Sequence, residues 1–149
     1  MTRVSGQVRI GRPVTEVFDV VADERNEPRF NPSLAWVEQL TPGPVGAGTR
    51  FRAVLRRGRG TMDIEYTRFE RPRLIASRTT MPAATFTGTL TFEEDGSHTV
   101  LRWCWDAQPR HAAWLLAPVM AAVGARRERR VWEALRSVLE AHRPDDRHR

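Results

Sequence analysis

The stretch RHAAWLLAPVMAAVGARRERRVWEALRSVLEAH, residues 110–142, decides how this chain folds. It predicts one long C-terminal helix, bent or interrupted at Pro118, because proline lacks a backbone donor and its ring clashes with the preceding turn. Apolar side chains recur at helical spacing and define one face of this helix. They are Leu116, Met120, Val123, Val131, Leu135, Val138 and Leu139. The opposite face is charged and contains Arg126, Glu128, Arg129, Glu133, Arg136 and Glu140. The apolar face must therefore pack against the rest of the chain.

The first third of the chain predicts a strand, two short helices and a second strand. Residues 4–10 alternate weakly, as in a strand, and Pro13 then suits the first turn of a helix. Apolar residues follow at i, i+3, i+4 and i+7, which is typical of a short amphipathic helix. They are Val14, Val17, Phe18 and Val21. Residues 23–31 predict a second short helix or a turn, and residues 34–40 predict a strand.

The middle of the chain predicts a run of antiparallel hairpins. The segment TFTGTLTF, residues 85–92, alternates most clearly, with threonines on one face and larger side chains on the other. Asp95 and Gly96 form a strong hairpin-turn signal. The strand after this turn places Leu101, Trp103, Trp105 and Ala107 on one face. The whole pattern predicts an α+β fold, in which seven antiparallel strands carry two short helices between strands 1 and 2 and the long helix covers one side.

Four segments also carry a family resemblance. They are PVTEVF at 13–18, the segment 23–32 with Phe30 as its aromatic residue, TVLRW at 99–103, and WEALRSVLEA at 132–141. Together they resemble the START-like superfamily, also called SRPBCC proteins, which includes polyketide cyclases and dehydratases and lipid-transfer domains. The resemblance covers about residues 3–142 and implies the helix-grip fold, a curved sheet wrapped around the long C-terminal helix. It implies an internal cavity for hydrophobic ligands such as lipids or polyketides, and no particular catalytic residues.

Length and composition narrow the class of protein. A chain of 149 residues predicts a single domain, which we place at 1–142, followed by a disordered tail at 143–149. The single cysteine excludes an intrachain disulfide and favours a reducing compartment. The sequence contains no secretory signal and no apolar run of about 18 residues. We therefore expect a cytoplasmic protein without stable membrane insertion, either a monomer or a homodimer.

The net charge of +6 comes from arginine alone, since the chain has no lysine. A functional arginine surface could bind an acidic partner, an anionic membrane or nucleic acid. Coding bias from a GC-rich genome gives the same composition, and i,i+4 pairs on a solvated helix face account for the run of arginines at 126–130. We expect no nucleic acid as a partner.

The candidate ligand site consists of bulky residues on the predicted inner faces together with a few polar ones. It comprises Phe51, Tyr66, Arg78, Phe86, Leu90, Trp103, Trp105, His111, Trp114 and Met120. These side chains either wall a cavity for an apolar molecule or simply fill the core. Arg78 faces the cavity only if the register of its strand is as predicted, since a slip of one residue would turn it outward.

The leading hypothesis is binding of a small hydrophobic ligand, and the alternative is a polyketide cyclase or dehydratase. In the alternative, Tyr66, Arg78 or His111 polarises a ketone or moves a proton, although His111 also suits a solvated helix start. The catalytic residues remain unknown at this level. Cys104 faces away from the aromatic side and has no evident histidine base, and no residues have metal-ligand spacing. We expect no metal and no cofactor.

Overall fold

A computed structural model describes residues 2–110, 115 and 117–141 of the chain. It contains seven strands: β1 (Thr2–Ile10), β2 (Leu34–Gln39), β3 (Arg50–Leu55), β4 (Thr61–Glu70), β5 (Leu74–Met81), β6 (Ala84–Asp95) and β7 (His98–Pro109). The helices are α1 (Val14–Ala22) and α2 (Ala117–Ala141), with a 3-10 helix (Glu24–Arg29) before β2 and a 3-10 turn (Arg56–Gly58) after β3. The predicted element order and the α+β class are confirmed.

The seven strands form one open antiparallel sheet with the order β1-β7-β6-β5-β4-β3-β2. Strands β2 to β7 follow one another as a meander, and β1 pairs with β7, from Thr2 opposite Ala107 to Ile10 opposite Thr99. The hairpin predicted at Asp95 and Gly96 joins β6 to β7, where Gly96 has the positive φ of 61° that glycine adopts without strain. Helix α1 and the 3-10 helix carry the chain from one edge of the sheet to the other.

The two faces of the sheet differ as the alternation predicted. The inner face provides buried residues of the core, which include Ile64, Tyr66, Ile75, Leu90, Leu101 and Trp103. The outer face carries half-buried threonines and exposed ion pairs such as Arg52–Asp63, with 2.9 Å between Nε and Oδ1. Exposed pairs of this kind contribute only about 0–1 kcal/mol each to stability, so the fold depends on its inner face.

Helix α1 closes one end of the core. Pro13 immediately precedes this helix, with φ −61° and ψ 148°. Proline has no backbone N–H, but the N–H groups at the start of a helix have no partner within the helix, so no hydrogen bond is lost here. Phe18 is fully buried and contacts the rings of Phe69 and Phe92 edge-on, at centroid distances of 5.2 and 4.9 Å. Such edge-to-face pairs add roughly 0.5–1.5 kcal/mol beyond the area that they bury.

Helix α2 is described from Ala117 to Ala141. Residues 111–114 and 116 lie outside the described part of the chain, so the predicted bend or interruption at Pro118 stays a prediction. The buried stripe is shorter than expected, because Val123 is 59% exposed whereas Val131, Leu135 and Leu139 are buried. The second half of α2 therefore packs on the core, and Val123 does not.

Three sequence-based expectations fall on residues outside the described part of the chain. They concern Leu116, which was assigned to the apolar stripe, His142, the predicted helix end, and the tail at 143–149. The described residues form one sheet with its helices, and their shared hydrophobic core runs from Val8 to Leu139.

Candidate functional site: a cavity between the sheet and the C-terminal helix

A cavity of about 240 Å³ lies between the inner face of the sheet and helix α2. Its apolar wall includes Val21, Met62, Ile64, Ile75, Val131 and Trp132. Gly124 of α2 and Val4 of β1 both line the cavity, and Gly124 places no side chain in it on the side that faces Val4. Apolar walls with a few polar groups are the usual composition of a small-molecule site.

Four of the residues predicted from the sequence line this cavity. They are Tyr66, Phe86, Leu90 and Trp105. All four lie on inward-facing positions of β4, β6 and β7, so strict alternation along the strands was enough to find them.

Phe51 and Trp103 were also predicted, but they fill the core and do not line the cavity. Phe51 is fully buried and packs against Tyr66 at a ring distance of 5.5 Å. Trp103 stacks on Trp132 at 6.0 Å, and its ring lies over Gly6, where an added Cβ would come within 2.4 Å of it. Phe51 and Trp103 therefore pack against Tyr66 and Trp132, which line the cavity.

Arg78 does not face the cavity, and its prediction as a cavity residue is wrong. Its side chain is exposed, whereas its neighbours Ser77 and Thr79 line the cavity. Successive side chains of a strand point to opposite faces, so Arg78 must lie on the outer face. The structure does not place the three remaining predicted residues. His111 and Trp114 lie outside the described residues, and the side chain of Met120 is not described.

The polar end of the cavity is acidic and begins at Glu24. The Tyr66 hydroxyl lies 2.7 Å from the carbonyl oxygen of Ala22, to which it donates, and 3.0 Å from Oε1 of Glu24. Glu24 is half-buried and lines the cavity, and burial raises the pKa of its carboxyl well above the ordinary value. The charges of Glu27 and Asp23 raise this pKa further. Burial and the same acidic neighbours also raise the pKa of Tyr66, which keeps its hydroxyl protonated.

Glu27 follows Glu24 by three residues in a 3-10 helix, where positions i and i+3 share a face. The two carboxyls are hydrogen-bonded to each other, which favours a shared proton on Glu24. Asn31 donates from Nδ2 to Oε1 of Glu27 at 2.8 Å. Asp23 caps this 3-10 helix by accepting the backbone N–H of Arg25 at 3.1 Å. This local hydrogen bonding holds both glutamates at the cavity.

Glu128 completes the acidic end from the helix side. Its Oε2 accepts the indole N–H of Trp132 at 2.8 Å and that of Trp105 at 3.3 Å. Burial raises the pKa of the Glu128 carboxyl and the charge of Glu27 adds to this, while the two indole donors and Arg127 act in the opposite direction. The prediction that placed Glu128 on the solvated helix face is therefore wrong.

A signal for Glu128 is present in the sequence. Residues 128, 132, 135 and 139 are spaced i, i+4, i+7 and i+11, so Glu128 shares the face of the buried Trp132, Leu135 and Leu139. A carboxylate in the register of an apolar stripe is a candidate for a functional group. No comparable pattern indicates Glu24 and Glu27, because the segment ERNEPR has no apolar period.

Three further features were predicted or considered from the sequence: a metal site, a reactive cysteine and a membrane-spanning helix. The part of the chain that the structure describes contains no group of three or more histidine, cysteine or acidic side chains arranged to hold a metal ion. Cys104 is half-buried on the outer face, beside Thr89 and Arg102, and so lies away from the cavity. None of the described helices is both long and apolar enough to cross a membrane.

Comparison with known families identifies the class of protein. The family model described as polyketide cyclase / dehydrase and lipid transport matches residues 1–140. The chain belongs to this family. No curated protein sequence matches the chain.

Solved structures with the fold of this family superpose on nearly the whole chain. The START superfamily protein from Mycobacterium smegmatis is 13% identical with a TM-score of 0.80, covering 95% of this chain and 99% of that one. The Zhui aromatase/cyclase from Streptomyces sp. R1128 is 22% identical with a TM-score of 0.74, covering 93% of each chain. The di-domain ARO/CYC BexL from the BE-7585A biosynthetic pathway is 19% identical with a TM-score of 0.72, covering 94% of this chain and 47% of that one. These similarities confirm the helix-grip, START-like fold predicted from the sequence.

Proposed function

We propose that this protein binds a small, largely apolar molecule in the cavity between the sheet and α2. The observation that carries the proposal is the cavity itself, about 240 Å³ in volume and walled by residues from β4, β5, β6 and α2. A closely packed core has few voids larger than a water molecule, so a space of this size between core elements is a feature to be explained. The family description, which names both cyclases and lipid transport, supports the same function.

The volume sets the size of the ligand. It corresponds to about eight water-sized volumes of roughly 30 Å³ each. Sites for drug-sized molecules are usually larger, at about 300–1,000 Å³. A compound with about eight to ten non-hydrogen atoms therefore fits without rearrangement, and a multi-ring polyketide would need the side chains of the wall to move.

Tryptophan fluorescence and native mass spectrometry test the proposal. Trp105 and Trp132 line the cavity, so a bound guest changes their surroundings directly. A panel of octanol, octanoate, a short alkylamine and a two-ring aromatic should give at least one saturable fluorescence change with a matching mass increase. Thr79→Phe fills part of the cavity from β5 and should weaken this binding about tenfold or more, because the guest loses its space.

Thr80→Phe is the matched control for this experiment. Thr80 follows Thr79 on β5 but does not line the cavity, so the same added ring should leave binding within about twofold of wild type. Equal loss in both variants, or no saturable binding by any member of the panel, would contradict a ligand site in the cavity.

A second candidate function is cyclase or dehydratase chemistry on a ligand held in the same cavity. The Glu24–Tyr66–Glu27 arrangement favours it, because a carboxyl that stays protonated can donate a proton to a ketone while a neighbouring carboxylate accepts one. The test is exchange of the α-hydrogens of a small 1,3-diketone in deuterated buffer. Wild type should accelerate exchange, and Glu24→Gln should lose about 10²-fold or more of that acceleration.

Glu133→Gln serves as the control for the exchange assay, since Glu133 is exposed on α2 away from the cavity. It should exchange the diketone at the wild-type rate. If the α-hydrogens of the diketone exchange no faster with wild type than in buffer alone, the cyclase or dehydratase proposal fails and only the ligand-binding proposal stands.

The remaining assignments follow from the same proposal. We propose a cytoplasmic protein that acts as a monomer or homodimer without a nucleic-acid partner. The arginines of α2 at 126, 127, 129 and 130 are all exposed, as a solvated helix face requires. Size-exclusion chromatography with light scattering gives the oligomeric state.

A further inference from the structure

The carboxyl groups of the cavity combine limited solvent contact with the lack of an ion pair to any arginine that the structure describes. The sequence contains 24 arginines and 18 acidic residues, and many described carboxylates, half-buried or exposed, form ion pairs with arginine. The paired carboxylates include Asp19, Asp23, Asp63, Asp106, Glu70 and Glu140. Among the described residues, no salt bridge within 4.0 Å is made by Glu24, Glu27 or Glu128. Arg127 also borders the cavity, but its side chain is exposed and forms no such ion pair with Glu128.

The groups around Glu27 and Glu128 are donors. Asn31 donates to Glu27 at 2.8 Å, and the indoles of Trp132 and Trp105 donate to Glu128 at 2.8 and 3.3 Å. At Glu128 burial raises the pKa of the carboxyl, and the two indole donors act in the opposite direction. The protein thus holds acceptor oxygens at the cavity without an ion pair to a described residue, and a buried carboxylate that lacks one is costly.

Ser77 supplies an independent observation at the same place. It is only 7% exposed, lines the cavity from β5, and lies opposite Tyr66 in the β4–β5 pair. Its hydroxyl makes no side-chain hydrogen bond among the described residues and is not fully buried, so it is accessible from the cavity. Buried hydroxyls are normally hydrogen-bonded, so a ligand group is a natural partner for this one.

We propose that the ligand of the cavity carries a protonated amine, whose N–H groups bind the carboxylates of Glu27 and Glu128 while Ser77 offers a further acceptor. The rest of the ligand lies against the apolar wall. A primary ammonium has three N–H donors and no acceptor, which suits carboxylates that already receive N–H donors from the protein. This inference rests on the proposed function, since it names the chemical class of the ligand for the same cavity.

Three probes of equal chain length test the inference: octylamine, 1-octanol and octanoate. The alkyl chain is common to all three, so differences in Kd report the head group alone. Octylamine should bind about tenfold or more tightly than octanol, as expected for a hydrogen bond to a charged group, and octanoate should bind most weakly. Calorimetry at neutral pH gives the three constants.

Variants locate the head group. Glu27→Gln and Glu128→Gln should each weaken octylamine binding about tenfold and leave octanol within about twofold, because glutamine keeps the shape but not the charge. Glu133→Gln, on the exposed face of α2, should change neither constant. Circular dichroism and thermal unfolding confirm that each variant is folded.

A pH series on wild type provides a measurement that needs no variant. Alkylamines stay protonated below about pH 9, as lysine does, so acidification changes only the protein. The groups that face the head-group position are Glu24, Glu27, Tyr66, Arg127 and Glu128. Burial raises the pKa of the Glu24 and Glu128 carboxyls, so these two take up protons as the pH falls. Octylamine affinity should therefore fall from about pH 8 to about pH 5, and octanol affinity should stay constant.

The outcomes separate this inference from the proposed function. If octanol binds as tightly as octylamine, or octylamine binding is unchanged in both glutamine variants, the amine assignment is overturned while the apolar site stands. If none of the three probes binds, the proposed function fails with it. Preference for octylamine that is lost in Glu27→Gln and Glu128→Gln supports both.

Discussion

The ionisation of Glu24 depends strongly on its surroundings. Burial at the cavity and the adjacent charges of Glu27 and Asp23 hold its pKa well above that of an exposed glutamate. In the unfolded chain the same carboxyl is solvated and titrates normally. The folded state thus binds a proton that the unfolded state releases, over the range between these two pKa values.

This difference predicts how Glu24→Gln changes stability with pH. For wild type, the contribution of Glu24 is fully present below the unfolded pKa and is lost as the pH rises through the raised, folded pKa. The variant has no such titration, so its free energy of unfolding relative to wild type should increase from about pH 5 to about pH 8. Urea denaturation at several pH values measures the difference.

The acidic groups with lowered pKa values do not mask this effect. Ion pairing with arginine lowers the pKa of Asp19, Asp23 and Asp63, so their contributions change only in acid, below the range used here. Glu133→Gln should show a flat difference over the same series, because Glu133 is exposed. A flat difference for Glu24→Gln as well would mean that its carboxyl is ionised in the folded protein.

Single residues were predictable where a strand fixed their direction. Tyr66 and Trp105 were placed correctly because alternation along β4 and β7 leaves one choice of face. Arg78 was placed wrongly because the inward positions of β5 are filled by Ser77 and Thr79, and a weak hydrophobic pattern did not distinguish the two registers. Glu128 was missed because it was grouped with the arginines beside it and not with the apolar residues one turn away.

At the level of elements, the loop between β1 and α1 forms hydrogen bonds with the C-terminal end of α2. The backbone N–H of Gly11 donates to Oε1 of Glu140 at 2.9 Å, and Nε of Arg12 donates to the carbonyl oxygen of Leu139 at 2.8 Å. Thr99, fully buried at the start of β7, donates its hydroxyl to the carbonyl oxygen of Arg12 at 2.8 Å. The last carbonyls of a helix lack partners within it, so this loop caps α2 and fixes it to the sheet.

Thr99→Val tests the importance of this contact. Valine has nearly the shape of threonine but leaves the buried carbonyl of Arg12 without its donor. We expect the free energy of unfolding to fall by about 1–3 kcal/mol, the usual cost of an unsatisfied buried group. Hydrogen exchange in the last turn of α2 should accelerate, because the cap depends on the position of Arg12.

Thr89→Val is the matched control for that measurement. Thr89 lies on the outer face of β6, and its hydroxyl has no hydrogen-bond partner among the described residues. The control should be within about 0.5 kcal/mol of wild type. A loss of the same size in both variants would assign the effect of Thr99→Val to strand packing and not to the cap.

Element boundaries were predictable where proline or glycine marks them and less so elsewhere. The hairpin between β6 and β7 was predicted correctly from Asp95 and Gly96, because glycine readily adopts the positive φ that this turn requires. The bend or interruption at Pro118 stays a prediction, because residues just upstream of the described helix lie outside the described part of the chain.

At the scale of the whole molecule, the fold follows from the sequence and the cavity does not. Alternation in six successive strands and one amphipathic helix leave few ways to bury both apolar faces, so the architecture was predictable. The cavity is the space that packed side chains fail to fill, and it depends on sizes and rotamers of many residues together. Its acidic end depends on a 3-10 helix that has no periodic signal.

Ligand binding should stabilise the whole protein by mass action. At about one hundred times its Kd, a ligand that binds only the folded state adds about 2.7 kcal/mol to the free energy of unfolding. For a domain of this size we expect the Tm to rise by roughly 5–11 °C. Thermal unfolding followed by circular dichroism measures the shift, which should be much smaller for Thr79→Phe than for Thr80→Phe.

The pairing of β1 with β7 also determines when this protein can fold during its synthesis. Within the described sheet, the only neighbour of β1 is β7, and Thr2 lies opposite Ala107. A nascent chain emerging from the ribosome can form the β2–β6 hairpins from local contacts, but β1 must stay unpaired until β7 has emerged. Among the seven described strands, β1 therefore precedes the others but can join the sheet only after β7, and until then its unpaired N–H and C=O groups can pair with other chains.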